Sequence, residues 1–186
     1  MKKLAIAGAS AVLAAMPVVG VFAAAENPAN IVDTITVTIE DSCTWSRTLE
    51  GGTSVTASGS NLTATMTANQ TLSSFGTSTL NAKCNNSKGY AIKATMTALS
   101  GKVSSDANAA TNNDSIDYAT SLAAGKWVAS YGGAGITSGS NIATTSASDD
   151  MVNGTSYAIT YGVQTKTNQT AGVYTGTATY ELIQNS

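Results

Sequence analysis

The sequence contains no histidine, and this absence removes several classes of active site at once. A Ser-His-Asp or Cys-His nucleophile needs an imidazole base, and the usual zinc sites need imidazole ligands. Two cysteines are present, Cys43 and Cys84, and their spacing is not that of a C-x-x-C redox motif. The glycines lie in turn-like stretches with no helix after them, so no phosphate-binding loop is predicted. We therefore expect no cofactor and no catalytic metal.

Carboxylates are the remaining catalytic option, as a pair of the glycosidase type. In an exported β-protein most carboxylates are solvated surface groups, so we expect a protein that is not an enzyme. The candidates for such a pair are Asp33, Glu40, Asp41, Glu50, Asp149, Asp150 and Glu181.

Basic residues are also scarce: there are 9 Lys and Arg against 11 Asp and Glu, and Arg47 is the one arginine. Phosphate-backbone binding depends on clustered Lys and Arg, which release counterions. The composition therefore excludes nucleic acid as an expected partner.

The first 25 residues have the pattern of a signal peptide. Lys2 and Lys3 precede an apolar run from Leu4 to Val21, and Ala23-Ala24-Ala25 offers a cleavage site. A retained membrane anchor is the alternative. We expect a secreted or cell-surface protein in which residues 26–186 form a single domain with no transmembrane anchor.

Threonine is abundant in residues 26–186, with 28 residues, while the Glu and Lys that fill exposed helices are few. Threonine favours strands, so an all-β fold is predicted. Apolar residues alternate with threonine from Ile31 to Glu40, and Tyr90 to Met96 alternates in the same way. Both stretches are therefore predicted strands, and the second is expected to form a core hairpin with Thr79–Cys84.

Further strands are predicted at Leu62–Met66, Lys126–Tyr131 and Asn141–Thr145, the last at a sheet edge. Tyr157–Val163 and Val173–Ile183 are expected to form a terminal hairpin. About seven to nine short strands and no helix indicate an antiparallel, immunoglobulin-like β-sandwich, with an up-and-down barrel as the alternative.

In an oxidising compartment Cys43 and Cys84 are expected to form one disulfide, whereas a cytosolic chain would keep two free thiols. Ser100 to Asp114 is predicted to be a loop rich in Asn and Asp. It lacks the spacing of a calcium-binding loop, so a solvated loop is the interpretation that we favour. The aromatic side chains are expected to be mostly buried, although exposed rings could bind sugars; they are Trp45, Trp127, Tyr131, Tyr157, Tyr161, Tyr174 and Tyr180.

Three blocks together carry a resemblance: Thr36–Cys43, Leu80–Met96 and Ala171–Tyr180. In order and spacing the chain resembles secreted single-disulfide β-sandwich proteins of bacterial surfaces. These include pilin subunits of the spore coat protein U type and surface proteins of Saccharibacteria. The closing block is also similar to the end of WxL cell-wall-binding domains.

The resemblance implies a pilin-like structural or adhesive subunit that associates with other surface subunits. It also implies a donated strand from Ile31 to Ile39, with Ile31, Ile35, Val37 and Ile39 filling pockets of the recipient. A module that binds carbohydrate or the cell wall, with surface glycans as its partners, is the alternative function.

Overall fold

The computed structural model describes residues 34–102, 111–149 and 151–186. The chain divides into two units, Met1–Thr38 and Ile39–Ser186. In the first unit the described residues, Thr34–Thr38, belong to no helix or strand. The predicted signal peptide and Ile31 lie outside the described residues.

The second unit is all-β, as predicted, and no helix occurs among its described residues. The described part of this unit contains thirteen strands: β1 (Cys43–Gly51), β2 (Thr56–Ser58), β3 (Asn61–Thr63), β4 (Thr71–Cys84), β5 (Tyr90–Met96), β6 (Leu99–Lys102), β7 (Thr111–Tyr118), β8 (Lys126–Tyr131), β9 (Ala134–Gly135), β10 (Ser140–Thr144), β11 (Thr155–Gln164), β12 (Val173–Thr175) and β13 (Ala178–Gln184).

The strands form a sandwich of unequal sheets. The larger sheet has the order β1-β4-β11-β8-β7-β6-β12, with β9 paired to β8, and the smaller has the order β10-β5-β13. Strands β2 and β3 form a separate hairpin. Among the described strands all pairs are antiparallel except β7 with β8, so the predicted antiparallel sandwich is confirmed.

Side-chain alternation explains how the two sheets bury a common core. Along β4 every second residue is buried from Gly76 to Cys84, and the residues between them are only half-buried. The matching face of β5 carries Tyr90, Ile92 and Ala94, all fully buried, and the less completely buried Met96. These faces, together with buried residues of β8 and β11, form one hydrophobic cluster.

The predicted hairpin between β4 and β5 is wrong, because the two strands belong to different sheets. The turn Asn85–Gly89 carries the chain across the sandwich, and Gly89 adopts a φ of 77° that favours glycine. The predicted terminal hairpin is wrong for a similar reason. Strand β11 pairs with β4 and β8, and the chain after it divides into β12 and β13, which pair with β6 and β5.

The strand predicted from Ile31 to Glu40 is also wrong over its described part, since residues 34–42 are in no strand and β1 begins at Cys43. Alternation indicates strand propensity, but a strand needs a backbone partner, and the described residues provide none there. The loop predicted from Ser100 to Asp114 is wrong at its two ends, because residues 100–102 belong to β6 and residues 111–114 belong to β7. Residues 103–110 of this prediction lie outside the described residues. The strand from Lys126 to Tyr131 and the edge strand near Asn141–Thr145 are confirmed.

Candidate functional site

The predicted disulfide is present and fixes one edge of the larger sheet. Cys43 and Cys84 are bonded, and they lie directly opposite each other in the β1–β4 ladder with their Cα atoms 4.1 Å apart. Cys43 is the first residue of β1, and Cys84 is the last residue of β4. The bond therefore holds the beginning of the edge strand β1 on the end of β4.

Residues 40–42, just before β1, are held by the turn that follows β4. The Ser42 N–H donates to Asn85 Oδ1 at 2.5 Å, and Asn85 Nδ2 donates to the carbonyl oxygen of Glu40 at 2.9 Å. Asn86 Nδ2 donates to Asp41 Oδ2 at 3.5 Å. These bonds hold residues 40–42 against the turn that follows β4.

Three large apolar side chains of that N-terminal stretch are exposed. Ile35 is 87% exposed, Val37 is 77% exposed and Ile39 is 80% exposed. They alternate with Thr34, Thr36 and Thr38, so in an extended chain all three would lie on one face. Exposed apolar side chains that share a face mark an interaction surface more often than isolated ones do.

The inner face of β1 is incompletely covered. Trp45 and Arg47 lie opposite Ala82 and Leu80, and directly opposite residues project from the same side of a sheet. Ala82 and Leu80 are only 0% and 2% exposed, whereas Trp45 is 38% exposed and Arg47 is also exposed. The core side of this edge therefore remains open to solvent.

The smaller sheet ends in a similar way at β13. Tyr180 and Leu182 lie opposite the fully buried Ala94 and Ile92, yet both are only half-buried. Strands β1 and β13 lie close together but share no backbone pairing. We call this pair of strands the β1–β13 edge, and among the described residues no strand pairs with its outward backbone groups.

Tyrosine hydroxyls connect the two sheets behind this edge. Tyr161 and Tyr180 have their hydroxyl oxygens 2.6 Å apart, which joins β11 to β13. Burial raises the pKa of both phenols, so both hydroxyls stay protonated and can hydrogen-bond. The sandwich is thereby held together where its edge is least covered.

A second hydroxyl network lies near the disulfide. Tyr90 donates to Asp149 Oδ2 at 2.6 Å, and its oxygen lies 2.8 Å from that of Tyr157. Thr155 Oγ1 donates to Asp149 Oδ1 at 2.8 Å. Burial, and then the bond to Asp149, raise the pKa of Tyr90 far above its ordinary value. The network fastens the chain segment before β11 to the core.

Asp114, from the stretch considered for calcium, is engaged with protein groups. Its carboxylate accepts from Lys166 Nζ at 2.7 Å, from Gln169 Nε2 at 2.8 Å and from the Thr170 N–H at 3.1 Å. The bond to Lys166 lowers the pKa of Asp114 well below its ordinary range. The site therefore ties β7 to the turn after β11.

The candidate carboxylates lie in different surroundings in the structure. Glu40, Asp41, Glu50 and Glu181 are exposed, Asp149 belongs to the tyrosine network, and Asp33 and Asp150 lie outside the described residues. Within residues 34–102, 111–149 and 151–186 no cluster of acidic or cysteine side chains could hold a metal ion.

Most aromatic rings are buried or half-buried, as predicted. Trp127, Tyr157 and Tyr161 are buried, Tyr131, Tyr174 and Tyr180 are half-buried, and Trp45 is the most exposed of these seven rings. The sequence does not identify Trp45 as the exposed ring. Alternation predicts the face of the strand on which a side chain lies, but it does not predict that this face is left uncovered.

Outside comparisons add no functional assignment to this geometry. The described residues contain no helix that is long and apolar enough to cross a membrane. Comparisons of the chain with protein-family models, with curated proteins and with solved structures found no match.

Proposed function

We propose that this protein is a non-catalytic structural or adhesive subunit of a bacterial surface, and that its copies associate through the stretch Thr34–Ile39. The observation that carries the proposal is the exposure of Ile35, Val37 and Ile39, which alternate in sequence but have no strand partner among the described residues. A second copy is the proposed partner, with its β1–β13 edge as the acceptor.

The acceptor suits an added strand for two reasons. Its outward backbone groups are unpaired within the described chain, so an extended segment can bind by main-chain hydrogen bonds. Its inner face also leaves Trp45 exposed and Tyr180 and Leu182 half-buried, and these side chains can contact the apolar face of an incoming segment.

Stable association requires both the backbone hydrogen bonds and the apolar side-chain contacts. Burying three side chains such as Ile and Val stabilises by about 2 kcal/mol each, or about 6 kcal/mol together. Association costs at least about 4 kcal/mol in lost translational and rotational freedom. Apolar burial alone would therefore leave weak association, and the backbone pairing is needed for stable assembly.

Export to the surface is supported by the pattern of residues 1–25 and by the disulfide. Disulfides persist in oxidising compartments and are rare in the cytosol. A structural subunit also needs no catalytic group, and the residue types present suit a binding surface better than an active site.

The test is self-association of the exported protein. Light scattering and electron microscopy should show assemblies that grow with protein concentration. The triple variant Ile35→Ser/Val37→Ser/Ile39→Ser should weaken association by about four orders of magnitude, since about 6 kcal/mol of burial is lost. Labelling of intact cells with an impermeant reagent tests the surface location.

The matched control changes the other face of the same stretch. Thr34→Ser/Thr36→Ser/Thr38→Ser should leave association nearly unchanged, because it removes only methyl groups from the polar face. The proposal is wrong if the wild-type protein stays monomeric at all concentrations, or if both triple variants assemble alike.

A further inference from the structure

We propose that a cleft on the opposite side of the sandwich from the β1–β13 edge binds a neutral saccharide ring. The cleft has a volume of about 270 Å³ and lies between the β8–β9 turn and the edge strand β10. It shares no residue with the β1–β13 edge, so this inference is independent of the assembly proposal.

The lining of the cleft is apolar on one side and hydrogen-bonding on the other. Tyr131, Ile136 and Ile142 supply the apolar surface, while Thr137, Ser140 and Asn141 supply hydroxyl and amide groups. A pyranose has the same two characters, because its C–H face is apolar and its rim carries hydroxyls. The residues lining the cleft carry no formal charge, which favours a neutral sugar over an acidic one.

The polar side chains of the cleft are available to a ligand. In the part of the chain that the structure describes, the side chains of Thr137, Ser140 and Asn141 make no hydrogen bond to another protein group. By contrast, Asn86 and Asn185, which line a second cleft beside the turn after β4, are already bonded to protein carbonyls. An amide that has no protein partner can give both its donors and its acceptor to sugar hydroxyls.

The walls of the cleft are fixed before any ligand binds. The Ile136 N–H donates to the Ala129 carbonyl at 2.8 Å, and the Gly139 N–H donates to the Ala94 carbonyl at 2.8 Å. The first bond anchors the segment after β9 to the larger sheet, and the second anchors it to the smaller one. Preformed walls reduce the ordering cost of binding.

Two further features direct side chains into the cleft. The register of β10 shifts between Asn141 and Ala143, so Ile142 is an extra residue at a β-bulge. Bulges change the direction of side chains and are common beside binding sites. The Tyr131 ring is held against Tyr157, with ring centroids 5.9 Å apart, so its orientation is also set in advance.

The volume limits the ligand to about one sugar ring, because sites for larger organic ligands usually exceed about 300 Å³. A ligand of this size that buries one face is expected to bind with a Kd on the order of 1 mM. Tight binding to a cell surface would then come from many subunits acting together.

The experiment titrates the ¹⁵N-labelled full-length protein with galactose, glucose and N-acetylglucosamine to about 50 mM, well above the expected Kd. At least one sugar should produce saturable amide shifts confined to residues 131–142. Asn141→Ala should weaken that binding about tenfold, the effect of losing a ligand hydrogen bond at a preformed site. Tyr131→Leu should weaken it further without loss of the folded spectrum.

The control is Asn168→Ala, which removes an exposed amide from the turn after β11 and should leave sugar binding unchanged. N-acetylneuraminic acid is the acidic probe, because Lys93 lies opposite Asn141 in register. The inference is overturned if no neutral sugar shifts these amides, if only the acidic sugar does, or if Asn141→Ala binds as well as the wild type.

Discussion

Replacement of both disulfide cysteines, Cys43→Ala/Cys84→Ala, should lower the free energy of unfolding by about 4 kcal/mol. The bonded residues are separated by 41 positions. In the chain-entropy model, opening a loop of this length restores about 13 cal/mol/K to the unfolded chain, which is about 4 kcal/mol at 25 °C. Alanine is the appropriate replacement because Cys84 is fully buried, and serine would place a polar hydroxyl in the core.

The fold itself should survive the substitution. Strand β1 pairs with β4 from Cys43 to Gly51, so its backbone ladder remains after the covalent bond is lost. For a unit of this size, about 4 kcal/mol corresponds to a fall in Tm of roughly 8–16 °C. Urea unfolding followed by the fluorescence of the buried Trp127 measures the change in free energy.

Dithiothreitol provides the internal control for this experiment. It should destabilise the wild-type protein by a similar amount and leave the double variant unaffected. A loss below about 1 kcal/mol, with a single cooperative transition in both proteins, would refute the loop-entropy argument, because the unfolded chain would then gain little freedom.

Two further predictions concern the polar networks. Tyr90→Phe should cost about 1–3 kcal/mol, because the buried hydroxyl is lost and the Asp149 carboxylate keeps fewer donors. Urea unfolding measures this loss in the free energy of unfolding. Asp114→Asn should alter the acid dependence of stability, because the bond from Lys166 lowers the carboxyl pKa below its ordinary value of 3.8. The carboxylate stabilises the folded state above that pH and loses this effect as the pH falls through its lowered pKa, so the difference in stability between the two proteins should narrow progressively below about pH 5.

Each of these predictions has a matched control. Tyr131→Phe removes a hydroxyl that has no hydrogen-bond partner among the described residues, so it should cost much less than Tyr90→Phe; equal costs would contradict the network argument. Glu50→Gln removes an exposed carboxylate elsewhere on the surface. If it changed the acid profile as much as Asp114→Asn, the effect would come from net charge and not from the Lys166 bond.

The limits of prediction are clearest at the two strands that flank the turn Asn85–Gly89. Alternation in Leu80, Ala82, Tyr90 and Ile92 identifies which side chains are buried, because a strand has a period of two. It does not identify the partner of either strand, since a hairpin and a crossing between sheets bury the same face. The hairpin prediction failed for this reason.

The stretch before β1 illustrates the opposite case. Ile35, Val37 and Ile39 have the sequence pattern of a half-buried strand, yet in the described chain they are exposed and unpaired. Local preference could predict the alternation, but pairing depends on a partner that is distant in sequence or belongs to another molecule.

The candidate sites depended on tertiary structure more than the fold class did. Trp45 and Tyr180 are 135 positions apart, and only the meeting of β1 with β13 makes them parts of one edge. The cleft likewise needs the turn after β8 to lie beside the bulge of β10, a proximity for which the sequence carries no local signal.

By itself, the sequence determined the all-β class, the pair of cysteines for one disulfide and the buried face of the main strands. These properties follow from composition and from period-two alternation, both of which are local. The tertiary structure alone decided the order of the strands, which edges remain open and which polar groups meet. These depend on pairing between distant segments, and that pairing is selected by the packing of the whole core and not by any one stretch.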